Sequence, residues 1–504
     1  MAPKPVLKQE EFDEAVKTNM EDFGMEAEEA VSSAVEEFEL QGYSLEGIIK
    51  SSSGGNTDSH PVAVATRALS ELASSAASNS SAAADVQLQN LQLRAAALQQ
   101  QFKGLAGEEL QQALAVAAKE GSIAALLSAA KASGGAEQQE QQQQLAAAAA
   151  ALTEAAAWQD EEGKCRFVDM GLAADLLQLL QLLAATPAGL AAAPQAAAAA
   201  GAAAGALRAF ATADDDRPPA AKAFMHARLL AGKPNHALTV LLPVLQQLQQ
   251  GPDRQVGPLV SVLAAIRQIA ANDEICKSFA EAGGVASLQT LLAAATLEGP
   301  PELLRGSAAA LRQLANSDAV KAQLAEAGAL GTLMRAVRGY GSHPAVQEQL
   351  LGLLVALVLR MPDIAAAAAE AGGVDVLTEV LSAAPAMAAA AKASAAAANG
   401  AANGSADKSA ASATGSAEGD DDQEVASKVF GVGGSSNGSS SGAAVQRQAC
   451  MALRNMVVRN PELRPGFLAA GAEELLRAVK VLFPAACKDV ASAALRDLGL
   501  DNYN

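Results

Sequence analysis

A chain of 504 residues that is 50% apolar but only 3% aromatic can bury a large core, and it must build that core mainly from small side chains. Alanine is the strongest helix former and fills little volume, which argues against sandwiches and barrels of β-branched and aromatic residues and makes helix the expectation for every ordered stretch. A formal charge of −19 argues against nucleic acid and anionic lipid as generic partners, because neutralising phosphate takes clustered Lys and Arg.

Residues 1–50 form an acidic head, with 13 Asp/Glu against 3 Lys/Arg between positions 6 and 50. Phe12, Val16, Met20 and Phe23, then Ala27, Ala30, Val31, Ala34, Val35 and Phe38, recur at helical spacing. They predict two short amphipathic helices broken at Phe23-Gly24-Met25. Residues 51–85, with Gly54-Gly55 and polar flanks, are expected to be a linker. The N-terminus lacks the apolar core of a secretory signal. The uncharged stretch from Leu176 to Leu207 is interrupted by Gln178, Gln181, Pro187, Pro194 and Gln195, and a spanning helix needs about 20 strongly apolar residues. The chain is therefore expected to be a soluble monomer without a membrane partner.

From about residue 86 the chain repeats itself. Ala280-Glu281-Ala282-Gly283-Gly284-Val285 returns as Ala325-Glu326-Ala327-Gly328-Ala329-Leu330, as Ala369-Glu370-Ala371-Gly372-Gly373-Val374 and, shortened, as Ala469-Ala470-Gly471-Ala472. The first three glycines lie 45 and 44 residues apart, and the last follows after one period plus about 55 inserted residues. Weaker copies surround Gly121, Gly171 and Gly232. Glycine tolerates positive φ, so each one can end a helix and turn the chain into the next. A second string, Ala310-Leu311-Arg312-Gln313-Leu314, recurs at Ala265-Ile266-Arg267-Gln268-Ile269, Ala452-Leu453-Arg454-Asn455-Met456 and Ala494-Leu495-Arg496-Asp497-Leu498, with a shorter match at Ala206-Leu207-Arg208.

Two helices and a short one in about 44 residues make the armadillo/HEAT unit, which buries its apolar face only by stacking on its neighbours. The expected fold is all-α, a right-handed superhelical solenoid of about seven repeats behind the head. Repeats should occupy 86–381, with Gln/Ala-rich inserts near 133–151 and 184–205. A disordered Ala/Ser/Gly insert is expected at 382–444, and a last repeat with a capping helix at 445–504.

No catalytic constellation is visible. His60, His226, His236 and His343 have no metal-ligand spacing, and Cys165, Cys276, Cys450 and Cys487 form no CxxC pair. Free thiols fit a reducing compartment, the cytoplasm first and the nucleus second. Asp214-Asp215-Asp216 and Asp420-Asp421-Asp422 are solvated charge runs, and the Gly-Gly pairs lack the Lys-Ser/Thr of a phosphate loop. No metal, cofactor or enzymatic activity is expected.

The recurring polar residues are the candidate site: Arg208, Arg267, Gln268, Arg312, Gln313, Arg454, Asn455 and Arg496. Equivalent positions of successive repeats lie in a row, so these arginines form a ladder. It either lines a groove for a carboxylate-bearing or backbone-presenting partner, or pairs with acids of the next repeat and fixes the stacking.

The chain resembles the armadillo repeat-containing protein 6 family. The similarity lies in Glu11-Phe12-Asp13-Glu14-Ala15-Val16, Met25-Glu26-Ala27-Glu28-Glu29-Ala30-Val31, Ala270-Ala271-Asn272-Asp273-Glu274, Gln446-Arg447-Gln448-Ala449-Cys450 and Ala494-Leu495-Arg496-Asp497-Leu498-Gly499. The resemblance implies an armadillo solenoid without catalysis. Peptide-binding armadillo proteins such as importin-α carry a Trp-xxx-Asn array, whereas here the Trp positions read Ala264, Ala309 and Met451 and the Asn positions Gln268, Gln313 and Asn455. That departure disfavours basic localisation peptides as ligands. The expected function is a protein–protein scaffold or adaptor that holds a protein partner on its concave face. An exchange-factor or chaperone-like solenoid is the alternative. The acidic head serves as a second contact or as a lid on the arginines.

Overall fold

The computed structural model describes residues 7, 9–43, 45, 60–78, 84–102, 105, 107–132, 149, 171–185, 189–212, 230, 236–250, 255–393 and 438–501. Among them all regular structure is helical. They fall into two compact units, residues 1–265 and 266–504.

The first unit begins with the head, a hairpin of α1 (Gln9–Glu21) and α2 (Ala27–Leu40). The two helices close on a small core of Leu7, Phe12, Val16, Ala30 and Ala34. Phe38 bridges Phe12, with ring centroids at 6.3 Å, and Tyr43, edge-on at 5.8 Å. The break lies where the sequence places it: Gly24 has φ +64°, and the Asn19 amide donates to the Ala30 carbonyl at 3.2 Å across the turn. Most of the described charged residues of the two helices, such as Glu11, Glu14, Lys17 and Glu21, are exposed.

Two expectations fail in this unit, for one physical reason. Residues 51–85 were assigned to a linker, yet α3 (Pro61–Ser78) is a helix packed on α4 (Ala84–Gln100) and α6 (Ser122–Ala132), with α5 (Gly107–Lys119) between. Its buried stripe is Val62, Thr66, Leu69 and Ala73, and the Thr66 and Ser122 hydroxyls meet at 2.6 Å. Residues 184–205 were assigned to an insert, yet α8 (Pro194–Phe210) is a repeat helix packed beside α7 (Leu172–Ala184). Ala196, Ala197, Ala199, Ala200, Ala203 and Ala204 are all fully buried. Small side chains give a weak hydrophobic signal, but they let helices approach closely and bury backbone as well as methyl groups. Gly201 on α8 shows how closely: a Cβ there would lie 2.9 Å from the Pro258 Cα. The unit ends with α9 (Ala237–Leu248) and the start of α10 (Val256–Ile269).

The second unit contains four consecutive three-helix repeats. They are α11–α13 (Asp273–Glu281, Gly284–Glu298, Pro301–Leu314), α14–α16 (Asp318–Glu326, Ala329–Gly339, Pro344–Val358), α17–α19 (Pro362–Glu370, Gly373–Ser382, Gly438–Val457) and α20–α22 (Arg464–Ala469, Ala472–Leu482, Pro484–Asp497). The fold is an all-α array of armadillo-type repeats. Every recurring glycine that is described takes the left-handed turn expected of it. Gly121, Gly171, Gly283, Gly328, Gly372 and Gly471 have φ between +71° and +89°. The second glycine of the pair has a different reason: a Cβ at Gly284 would strike the Phe279 ring, and one at Gly373 the Ala368 carbonyl. Gly232 lies outside the described residues, as do the inserts at 133–148 and 394–437.

Third helices α13, α16, α19 and α22 pack side by side, each on the next. Their buried faces, such as Leu350, Leu351, Leu353 and Leu354 of α16, contribute about 1.5–3 kcal/mol per fully enclosed side chain. The 382–444 insert is shorter at both ends than expected. Residues 384–393 continue the line of α18 after a turn at Ala383, and α19 begins at Gly438. The stretch Gly373–Ala393 is long and apolar enough to cross a membrane by length and composition. Here it is the second helix of a repeat, with Val376, Leu377, Val380 and Leu381 buried and α18 against α19 and α21.

Gly328→Val should destabilise by more than the roughly 1 kcal/mol of helix propensity, because a β-branched residue resists φ +75°. Gly331→Ala, within α15 and facing only Arg335 at 3.8 Å, should stabilise by up to about 1 kcal/mol. Urea melts of the two variants should move in opposite directions. Gly201→Ala, although it raises helix propensity, should lower stability by roughly 1–3 kcal/mol, since its methyl group meets backbone rather than a movable side chain.

Candidate functional site: an arginine row on the third helices

Each arginine of the recurring strings sits in the last turn of its helix, α8, α10, α13, α19 or α22, but these arginines have different fates. Arg208 is in the first unit, near the end of α8, and is only 7% exposed. At the other end, Arg454 on α19 pairs with Asp497 at 2.9 Å, and Arg496 on α22 reaches the other oxygen of the same carboxylate at 3.1 Å. Asp497 is mostly buried, so its carboxylate ties α19 to α22 and fixes the stacking. The amide row also stitches repeats together. Gln313 Nε2 donates to the Ala270 carbonyl at 2.9 Å, and Asn455 Nδ2 to the Val355 carbonyl at 3.4 Å. Gln268 is half-buried on α10.

Between these ends lies a denser cluster on α10, α13 and α16. Arg267 and Arg312 are half-buried neighbours. Burial first, and then the charge of Arg312, hold the Arg267 pKa below the ordinary guanidinium value. Arg305 stands seven residues before Arg312, two turns up the same face of α13. Its pKa is also lowered, by burial above all; Glu302 and Glu348 oppose the shift and Arg267 adds to it. Glu348, on α16, is raised above the usual carboxylate range by burial, against the pull of Arg312 and Arg305. The Arg312 guanidinium rests on bare backbone: a Cβ at Gly352 would lie 2.7 Å from its Nη1 and 3.0 Å from its Cζ. A glycine inside a helix costs about 1 kcal/mol relative to alanine. Here it makes the slot that holds Arg312 beside Glu348, one turn earlier on the same helix.

Arg305 and Glu348 were not singled out from the sequence. The signal was the seven-residue spacing Arg305–Arg312, repeated on α19 as Arg447–Arg454. Guanidiniums cannot shed their protons at ordinary pH, so each of these arginines stays charged despite its burial. Among the described residues no group of three or more His, Cys, Asp and Glu is arranged to hold a metal ion.

Residues 6–81 match the family model described as the armadillo repeat-containing protein 6 N-terminal domain. The head and α3 thus form one recognisable segment. It is similar to armadillo repeat-containing protein 6 of Homo sapiens, 42% identical over 78 residues, and to that of Pongo abelii, 41% identical over 78 residues. Each match covers 14% of this chain and 15% of the relative's length. Solved structures give remote likenesses. A designed armadillo repeat protein is 18% identical and covers 64% of this chain and 99% of its own, with a TM-score of 0.42. A computationally designed armadillo repeat protein for modular peptide recognition is 22% identical and covers 57% and 99%, with a TM-score of 0.37.

Because the folded-state pKa of Glu348 exceeds its unfolded value, its ionisation opposes folding. That opposition is absent below the ordinary carboxylate pKa and complete above the raised one. Glu348→Gln should therefore melt at or above the parent temperature at neutral pH, and the difference should close as pH falls below the ordinary carboxylate range. Gly352→Ala should keep the fold, since the group its methyl displaces is the far end of a flexible arginine, while moving that guanidinium off α16. Paired thermal melts and a crystal structure of the variant check both points.

Proposed function

We propose that this chain is a non-catalytic interaction scaffold. Its third-helix face around Arg267, Arg305 and Arg312 receives a carboxylate-bearing segment of a protein partner. Stacked repeats expose long surfaces of regularly spaced side chains, which suits them to extended partners. The observation that supports an acidic partner is the concentration of three half-buried arginines, two with depressed pKa, in a chain whose formal charge is −19. Guanidinium pairs carboxylate in a planar, two-pronged geometry, so such a cluster favours acids over a merely polar ligand. The cytoplasm is the proposed compartment. Cys276 and Cys487 are buried free thiols pushed up to about 11 by burial, which suits them to packing in a reducing environment.

Fluorescein-labelled hexaglutamate, followed by polarisation, tests the face. Parent protein should bind it better than hexalysine, with affinity falling as salt rises. Arg267→Glu/Arg312→Glu should lose the binding while far-UV circular dichroism shows the helical fold retained. If the double variant binds as the parent does, or if the parent prefers a single-stranded oligonucleotide to the peptide, the reading fails.

A further inference from the structure

The head differs from the repeats in both its charge and its cover. Between residues 9 and 43 it carries 12 Asp/Glu and a single Lys, Lys17, which lies 3.9 Å from Glu21. Its enclosed core has five residues, two of them alanines, and larger apolar side chains sit around that core rather than inside it. Met25, Val31, Val35 and Phe38 pack against it but are only partly buried, while Met20 is 37% exposed and Phe23 69%.

These positions are ordered along the hairpin. Val31, Val35 and Phe38 follow one another at i, i+4 and i+7, a single stripe of α2 beside the buried Ala30 and Ala34. On α1, Met20 continues the line of Phe12 and Val16 by one further turn. The Asn19 amide donates to the Ala30 carbonyl at 3.2 Å, and the Met25 amide to the Asn19 carbonyl at 3.2 Å. These two bonds fix the turn and gather Met20, Phe23 and Met25 at one end of the α2 stripe. Glu21, Asp22, Glu26 and Glu29, all exposed, flank that end in the chain.

An apolar stripe on two antiparallel helices is completed by a third helix laid along it, which is a common mode of peptide recognition. The charge selects among helices. A second copy of the head would set 12 acids against 12, and nucleic acid or an anionic lipid surface would be repelled in the same way. A helix with one apolar face and Lys or Arg on its margins both covers the stripe and neutralises its rim. Methionines at the open end adapt to the shape of what they meet.

We propose that the head is a docking site for a basic amphipathic helix of a partner protein. That helix lays its apolar face along Val31, Val35 and Phe38 and is anchored at Met20 and Phe23. The site takes a partner of opposite charge to that of the arginine face, and the inference does not rest on the reading of that face.

The test titrates the full chain with a fluorescein-labelled leucine–lysine peptide of the length of α2, 14 residues, patterned to form one apolar helical face. A scrambled peptide of the same composition serves as the comparison. The patterned peptide should bind about tenfold more tightly than the scrambled one and should slow amide exchange within residues 9–43. Met20→Ser/Phe23→Ser changes two exposed side chains outside the enclosed core, and it should weaken binding roughly tenfold with helicity retained by circular dichroism. Glu21→Gln/Asp22→Asn/Glu26→Gln should weaken it at low salt, with the loss closing as salt rises. If the scrambled peptide binds as tightly, charge alone attracts it and the proposal is overturned. It is overturned equally if Met20→Ser/Phe23→Ser binds as the parent does or if exchange slows only outside the head. A parent that sediments as a dimer, with Met20→Ser/Phe23→Ser a monomer, would mean that a second copy covers the face instead.

Discussion

A three-helix repeat cannot enclose its own third helix. In the second unit, one flank of α16 is covered by α13 of the preceding repeat and the other by α19 of the following one, and most of what keeps α16 helical is that double coverage. Residues on the seam are consequently half-buried whatever their chemistry. Leucines there add stability, and any charged group there is partly removed from water and needs a partner. The arginine row and its carboxylates are products of this constraint: the stacking that builds the fold also sets the electrostatics of the site.

The two-sided seam explains why the ladder divides. Between α19 and α22 one acid, Asp497, takes both arginines in short charge-assisted bonds. The packing there is closed by the chain itself, and the structural reading of the ladder applies. Between α13 and α16 the chain places Glu348 against Arg305 and Arg312 and adds Arg267. Burial lowers the Arg267 and Arg305 values and raises that of Glu348, so each of these groups is partly withdrawn from water. In a seam devoted to stability, a pair of apolar residues of similar size would serve at least as well.

The repeat register was legible in the sequence because it depends on backbone geometry. Only glycine adopts φ near +80° without strain, so Gly283, Gly328, Gly372 and Gly471 mark the turns as plainly as a punctuation sign. The alanine helices were illegible for the opposite reason. Along α8 nearly every position is alanine or glycine, so no stripe of large apolar residues distinguishes a buried face from an exposed one, and burial is decided by how near α10 approaches. α3 hid in the same way among serines and alanines. For the site, the recurring Arg-Gln string located the row, but it gave no account of what flanks each member. Asp497 is adjacent in sequence to Arg496 and still serves Arg454 from another repeat. Gly352 is 40 residues from Arg312, and the guanidinium lies on it only because no side chain fills that space.

Gly352 ties these scales together. As a helix residue it is unfavourable, and as a core residue it buries no side chain. Its value is that a guanidinium fits where a methyl group would stand, which brings Arg312 onto α16. An arginine held there by backbone shape keeps less rotamer freedom than one on an open surface, so the close approach of α13 and α16 fixes the direction of its guanidinium as well as the packing of the two helices.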